Sequence, residues 1–310
     1  MPGTDTTLIA LDWGSTQLRA YRLGDAGAVQ ELRTSGDGAS RISGGATGFE
    51  DALRRLAGDW LDSGAPVLGC GMVGSAHGWR EAPYVDCPLA LDALHQHLVP
   101  VVMTGGGTLH LVPGLRDRGA EDGLPDVLRG EETQLAGLLA AQPAASSAGL
   151  TVVLPGTHSK WVRLRAGRVD GFATHLTGEL FALLREQSVL GRLMVAGAAF
   201  DGAGFDRGVA AARQSRDLTR LLFSVRSLGL LGELAPEALE SYLSGLLIGA
   251  ELAAALCTIV PEAPIALVGE PTLGELYRRA LALAGREARL HTAPLAADGL
   301  WHIARGAGWV

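Results

Sequence analysis

A strand–turn–strand unit occurs twice in this chain, and the repeat limits the fold more than any other feature. The first copy runs from Leu8 through Asp12-Trp13-Gly14-Ser15-Thr16 to Leu23. The second runs from Thr151 through Leu154-Pro155-Gly156-Thr157 to Lys160 and Leu164, with Gly156 lying 142 residues after Gly14. Each copy is a short apolar run that ends in Gly plus a hydroxyl residue and then alternates again, the pattern of two strands joined by a tight turn. Glycine tolerates positive φ and carries no Cβ, so backbone N–H groups in such a turn can point at an anion. Two phosphate-gripping hairpins imply two facing lobes with a nucleotide between them.

The rest of the chain extends the repeat. Strands at Leu8–Asp12, Leu18–Leu23 and Val29–Thr34, a helix at Phe49–Leu61 and a strand at Pro66–Cys70 form the first unit. Strands at Leu150–Leu154, Trp161–Arg165 and Arg168–Thr174, then a helix at Glu179–Glu186, form the second. The order of three antiparallel strands followed by a helix is the same in both. A helix at Glu131–Ala141 and the spacer Gln142–Gly149 stand between them, after a charged loop from Arg116 to Asp126. Beyond the second unit come a long helix at Pro236–Cys257, a strand at Ile265–Val268, and helices at Glu275–Ala284 and about Asp298–Arg305. The small residues Ser244, Gly245, Gly249, Ala250, Ala253 and Ala254 give the long helix a face suited to close packing. The Gly105–Gly107 run lacks dinucleotide spacing and reads as a loop.

At 310 residues the chain has room for two domains. Its net charge of −7 disfavours nucleic acid as a partner. Three cysteines, Cys70, Cys87 and Cys257, are too few and too scattered for a disulfide framework and fit a reducing cytoplasm. The polar N-terminus leads straight into a strand, so no signal peptide is expected. The apolar stretch Leu243–Cys257 is too short for a bilayer and carries Glu251, so it reads as a core helix and no membrane partner is expected. The eight histidines show no metal-ligand spacing, and neither a G-x-S-x-G elbow nor a P-loop is present. Lys160 is the only lysine, against 26 basic residues in all. Its place after the second turn makes it a candidate for phosphate contact through a compact ammonium.

Several residues could carry chemistry. Asp12 ends an apolar strand, where an isolated carboxylate is costly. It can hold a Mg²⁺-bound water while Gly14, Ser15 and Thr16 receive phosphate. Glu131 and Glu132 open a helix after Arg129-Gly130; either can serve as the base that deprotonates an attacking hydroxyl. Glu131 is preferred because Gly130 lets the backbone approach a substrate. The loop after Cys70, with Gly74, Ser75, Trp79, Arg80 and then Tyr84, suits a small polar substrate. Arg80 and Arg129 are candidates for its carboxylate. Gly269, between a strand and a helix, suits an adenosine contact.

The order of these pieces resembles the actin-like ATPase superfamily. Within it, the chain is similar to the bacterial 2-dehydro-3-deoxygalactonokinases. The stretches that carry the resemblance are Leu11–Thr16, Gly71–Ser75 with Gly78-Trp79 and Ala82–Tyr84, Arg129–Leu135, Pro155–His158 with Lys160–Val162, Thr177–Leu180 and Leu243–Glu251. They span nearly the whole chain. The resemblance implies an α/β, two-lobed actin-like ATPase (ribonuclease H-like) fold with duplicated βββαβα units and an interdomain nucleotide cleft. It implies a substrate-binding lobe over 1–130, joined by a C-terminal helix at about 296–310, and a nucleotide-binding lobe over 131–295. It further implies ATP and Mg²⁺ as cofactors and phosphorylation of the 6-hydroxyl of 2-dehydro-3-deoxy-D-galactonate. One departure stands out: the superfamily's second turn usually carries an Asp, and Leu154-Pro155 replaces it here. The Gly-Glu-Glu segment also resembles that of the exopolyphosphatases, in which a Glu at this point is catalytic. A phosphohydrolase and a non-enzymatic ATP-binding regulator are the rival readings. The first lacks a basic channel for a long anion, and the second lacks an appended partner domain. Whether the chain forms a homodimer is left open.

Overall fold

The computed structural model describes residues 7–119, 123–142, 149–215 and 217–310. The N-terminal segment ahead of residue 7, part of the 116–126 loop and most of the 142–149 spacer lie outside the described residues. The chain divides into two compact units. One comprises the chain up to Ala148 together with Leu164–Gly171 and Pro294–Val310; the other comprises Gly149–Arg163 and Phe172–Ala293.

The first unit is organised by a six-stranded sheet. Its strands are β1 (Leu8–Trp13), β2 (Leu18–Leu23), β3 (Val29–Ser35), β4 (Val67–Gly71), β7 (Val99–Val102) and β8 (Thr108–Leu111), in the order β3-β2-β1-β4-β8-β7. The short strands β5 (Val85–Asp86) and β6 (Leu89–Ala90) follow β4 in the chain, and β9 (Leu115–Asp117) and β10 (Asp126–Leu128) follow β8; β10, β9 and β5 form a small second sheet. Strand β1 pairs antiparallel with β2 and parallel with β4, so Asp12 lies opposite both Arg19 and Cys70. Its residues are almost wholly apolar and buried, as expected of a central strand covered on both faces.

Helix α1 spans Gly45–Leu61 and packs Phe49, Ala52, Leu53 and Trp60 into the core. It starts four residues before the apolar pattern does, from the left-handed Gly44, with no side-chain cap to signal it. Trp13, Phe49 and Trp79 meet in the same core, with centroids 5.4 to 6.2 Å apart. Glu50, on the same helix, is buried. It accepts from the N–H groups of Thr104 and Gly105 at 2.8 and 2.9 Å and from the Thr104 hydroxyl. Burial pushes its pKa up, but those bonds and Arg54 outweigh it and hold the carboxyl down at about 2. The Gly105–Gly107 run is thus the tied-down turn of the β7–β8 hairpin.

Helix α2 (Glu131–Ala141) corrects the expected boundary at residue 130, because it belongs to the first unit. The reason is packing against the C-terminal helix α8 (Leu295–Gly306). A Cβ on Gly137 would stand 2.1 Å from the Leu295 carbonyl oxygen, and one on Gly299 would stand 1.9 Å from that of Thr133. Two glycines therefore let the helix backbones touch.

The second unit carries β11 (Leu150–Leu154), β12 (Ser159–Arg165), β13 (Arg168–His175), β14 (Ile265–Val268) and β15 (Ala288–His291), in the sheet order β15-β14-β11-β12-β13-β6. Strand β13 crosses the division: Arg168 and Val169, grouped with the first unit, pair with Ala90 and Leu89. Helices α3 (Thr177–Gln187), α4 (Gly202–Gln214), α5 (Leu218–Leu230), α6 (Leu239–Ala255) and α7 (Pro271–Leu283) complete the unit. Helix α7 begins four residues earlier than expected, because Pro271 sits at its first position and Glu270 caps it by accepting from Thr272 and Leu273. Residues Pro236–Ala255 are long and apolar enough to cross a membrane, but most of that surface is buried inside the unit. The small-residue face of α6 packs on α4: a Cβ on Gly245 would lie 2.1 Å from the Phe205 carbonyl oxygen, and one on Gly208 would lie 2.3 Å from that of Tyr242.

Since backbone cannot move aside as a side-chain tip can, Gly245→Ala is expected to cost about 1–3 kcal/mol of stability. Urea unfolding of the variant beside wild type measures it; an unchanged midpoint would show that the helices separate freely.

Candidate active site

In the first unit the ends of β1 and β4 meet the start of α2. The Gly14–Gln17 turn closes with the Gly14 N–H on the Gln17 carbonyl at 2.9 Å. The carbonyls of Gly14 and Ser15 accept from Ala39 and Ser40, which fixes the turn, and Ser15 and Thr16 stay exposed. The Asp12 side chain is 19% exposed and pairs with Arg19 at 3.0 Å. Arg19 was not singled out from the sequence. A hairpin centred on Ser15 and Thr16 sets it opposite Asp12, so the register was the available signal.

Gly130 caps α2 at φ +101 and touches Gly71, itself at φ +89; a Cβ on Gly130 would lie 3.3 Å from the Gly71 Cα. These two positive-φ glycines bring the β4 end against the helix start. The two acids that follow then part company, as neighbours about 100° apart on a helix must. Glu131 is partly exposed, and its carboxylate accepts from the Arg129 N–H at 2.9 Å. Glu132 is 0% exposed; it accepts from the Gly130 N–H at 2.6 Å and from the Thr133 hydroxyl at 2.9 Å. Burial, with the charge of Glu131 adding to it, pushes the Glu132 carboxyl up to about 8. Cys70 lies behind it, its thiol pushed up chiefly by burial and further by Asp12 and Glu132.

The expected substrate loop divides. Trp79 is a correction: its ring is buried against Phe49 and Trp13, so it builds the core rather than lining a surface. Gly74 is buried too, where a Cβ would sit 3.0 Å from Arg129 Nη1, and Ser75 is partly exposed. Arg80 is exposed. The Arg129 guanidinium lies 4.4 Å over the Tyr84 ring, and its Nη2 donates to the Ala82 carbonyl at 2.8 Å. Its Nε and Nη1 are buried with no hydrogen-bond partner. The two donors lie on different edges of the guanidinium and are both enclosed, so this cation stands behind the loop surface rather than on it.

In the second unit the Gly156–Thr157 turn lies under the first turn of α3. Glu179 N–H donates to the Thr157 carbonyl at 2.9 Å, and a Cβ on Gly178 would stand 2.4 Å from the Gly156 oxygen. Gly156, Thr177, Gly178, Ser244 and Tyr277 line a cavity of about 290 Å³. Gly269, at φ +153, packs beside Pro155, and its N–H donates to His291. Lys160 does not project from the turn; it lies within β12 and is 5% exposed. Thr177, Gly178 and Glu251 received no role from the sequence, although a Glu inside an otherwise apolar helix was a visible signal.

Among the described residues no group of three or more His, Cys, Asp or Glu could hold a metal ion by itself. A lone accessible carboxylate at Asp12 suits a cation whose other ligands are waters and phosphate oxygens.

The chain is similar to known proteins over nearly its whole length. The family model described as 2-keto-3-deoxy-galactonokinase matches residues 12–303. A Rhizobium meliloti protein assigned as a 2-dehydro-3-deoxygalactonokinase is 38% identical over 284 residues, covering 90% of each chain. The 2-dehydro-3-deoxygalactonokinase of Escherichia coli is 36% identical over 281 residues, covering 89% of this chain and 90% of its own. The crystal structure of a Sinorhizobium meliloti protein assigned to that activity superposes with a TM-score of 0.86 at 36% identity, over 96% of this chain and 98% of its own. The activator of the 2-hydroxyisocaproyl-CoA dehydratase from Clostridium difficile, a structure with bound ADPNP, shares the fold at a TM-score of 0.51 and 14% identity, covering 97% of this chain and 96% of its own.

The state of Glu132 gives a stability test. Its folded-state pKa lies above the unfolded value, so between about pH 4.5 and 8 the unfolded chain ionises the group while the folded chain keeps its proton. Stability therefore falls as pH rises through that window. Glu132→Gln cannot titrate, so its unfolding midpoint relative to wild type should climb from about pH 5 to pH 8. A constant offset in thermal melts across that range would show that Glu132 is ionised in the folded protein.

Proposed function

The chain belongs to the 2-keto-3-deoxy-galactonokinase family, and from that membership we propose the reaction and the residues that serve it. It is an ATP-dependent carbohydrate kinase on the actin-like ATPase fold. Its acceptor is 2-dehydro-3-deoxy-D-galactonate, and the products are the 6-phosphate and ADP. The near full-length match at 36–38% identity carries this reading. No observation favours the phosphohydrolase or the regulator.

Glu131 is the base. It is the one of the two helix-opening acids within reach of solvent, whereas Glu132 is enclosed and satisfied by its own helix start. Glu131 takes the proton of the 6-hydroxyl as that oxygen bonds to the γ-phosphorus and the bond to the departing ADP oxygen breaks. Arg129, stacked on Tyr84 and bonded through Nη2 to the Ala82 carbonyl, is the cation assigned to the substrate carboxylate. Gly74 keeps open the space that Nη1 occupies. Ser75 and Arg80 complete the rim of the sugar-acid site.

The N–H groups at Ser15 and Thr16 in the first unit, in the turn that Gly14 closes, and those at Gly156 and Thr157 in the second bind phosphate oxygens, with Gly269 beside the adenosine. Asp12 would hold Mg²⁺ through water, and the ion supplies neutralisation of phosphate charge. Lys160, buried in β12, supports the second turn from within the sheet. Free cysteines fit activity in the cytoplasm.

Coupled ADP release with a panel of sugar acids tests the reaction; turnover of none of the 2-keto-3-deoxy acids would refute it. Within it, Glu131→Gln should lower kcat by about two to four orders of magnitude with little change in substrate affinity. Full activity would remove the base from this residue. Arg129→Lys should raise KM for the sugar acid by about tenfold or more while leaving KM for ATP alone, because an ammonium cannot keep both the Tyr84 stack and the Ala82 bond that fix the cation's place. Equal KM values in variant and wild type would send the carboxylate elsewhere.

A further inference from the structure

Glu251 is a carboxylate 4% exposed in the middle of α6, at the centre of the second unit. Four side chains from three other elements converge on it. Ser159 Oγ and Trp161 Nε1, on one face of β12, donate to its Oε1 at 2.7 and 2.6 Å. Tyr277 of α7 donates to Oε2 at 2.7 Å, and the Thr177 hydroxyl, at the first residue of α3, donates to the same oxygen. All four donors are neutral. A pure core position would be filled more economically by an apolar residue, since burying a carboxylate costs several kcal/mol unless donors are supplied.

The placement of the donors supplies the reason. Ser159 begins β12, two residues beyond Thr157, so it anchors the outgoing side of the second glycine turn. Thr177 opens the helix whose next residue, Gly178, lies directly against Gly156. The one carboxylate therefore grips both the turn and the helix start laid on it. Thr177 and Tyr277 also line the 290 Å³ cavity that Gly156 enters, so two of the bonds pull on the cavity wall.

We propose that Glu251 is a positioning residue that acts through Ser159 and Thr177 to hold the Gly156–Thr157 turn and the first turn of α3 in the arrangement that receives the nucleotide's phosphates. The inference rests on the reading of the chain as an ATP-dependent kinase. It assigns control of ATP affinity to a residue buried behind the turn.

Glu251→Gln is the informative variant. Trp161 Nε1 can only donate, so the amide oxygen must take the place of Oε1. The amide nitrogen then faces Thr177 and Tyr277, whose hydroxyls must turn round to accept. The bonds are kept in number, but their charge is lost and two are reversed. KM and Kd for ATP should rise about tenfold, the usual size of a charge-assisted hydrogen bond, with KM for the sugar acid within about twofold of wild type. Thr177→Val should do the same, and the two changes combined should cost less than their product, because they break one linkage. Gly245→Ala, which loosens the same unit through α4–α6 packing, serves as control: it should lower the active fraction without moving either KM.

Wild-type ATP binding by calorimetry is measured first. If wild type binds no ATP, the kinase reading fails on its own account. If wild type binds but Glu251→Gln and Thr177→Val bind ATP as tightly as it does, the positioning role is overturned. Should Glu251→Gln fail to fold by circular dichroism, Thr177→Val and Ser159→Ala decide by the same readout: a selective loss of ATP affinity supports the role, and unchanged affinity refutes it.

Discussion

A carboxyl group can be buried only where donors are brought to it, and three glutamates on helices show how this molecule meets that constraint. Glu50 draws the Thr104–Gly105 turn onto α1. Glu132 folds back on Gly130 and fixes the start of α2. Glu251 draws β12, α3 and α7 onto α6. In each case the acid sits on a helix and at least one partner lies in a glycine-containing turn or borders one. Glycine gives such a turn its shape but no side-chain contacts of its own, so the rigidity has to come from outside. The buried acids supply it.

Their electrostatic states differ for the same reason. Glu50 receives two backbone N–H groups, a hydroxyl and an arginine, and its carboxyl is held down at about 2. Glu132 receives one N–H and one hydroxyl, has a neighbouring acid, and is pushed up to about 8. Desolvation opposes the charge of both acids but weighs far more on the enclosed Glu132, while the more numerous donors, one of them charged, win at Glu50. One acid is thus a fixed anion and the other a neutral hydrogen-bonding group.

Much of the architecture was legible because it is written locally. The two glycine turns, the strands around them and the helix at Glu131–Ala141 follow from alternation and punctuation. The small-residue face of α6 announced a close helix contact, though not with which helix. What stayed hidden depends on tertiary partners. Helix α1 starts from a left-handed glycine with no cap residue to mark it. The domain boundary moved because the backbone contacts of Gly137 and Gly299 join segments more than 150 residues apart in the chain. At the site, the sequence supplied the candidates but not their exposure. Trp79 looks like a loop aromatic until Phe49 and Trp13 are seen around it, and Lys160 looks like a turn residue until β12 encloses it. Arg129 and Tyr84 were named separately, and only the fold stacks one on the other.

The contact between α2 and α8 has a consequence for how the chain assembles. The first unit takes its closing helix from residues made after the second unit, so the 131–141 helix waits through the synthesis of that whole unit with the face that meets Leu295 and Gly299 uncovered. The second unit is contiguous but for the short Leu164–Gly171 segment and can gather its core early. The order of completion is therefore the reverse of the order of translation: the unit made earlier is completed later, by capturing a helix made after its neighbour.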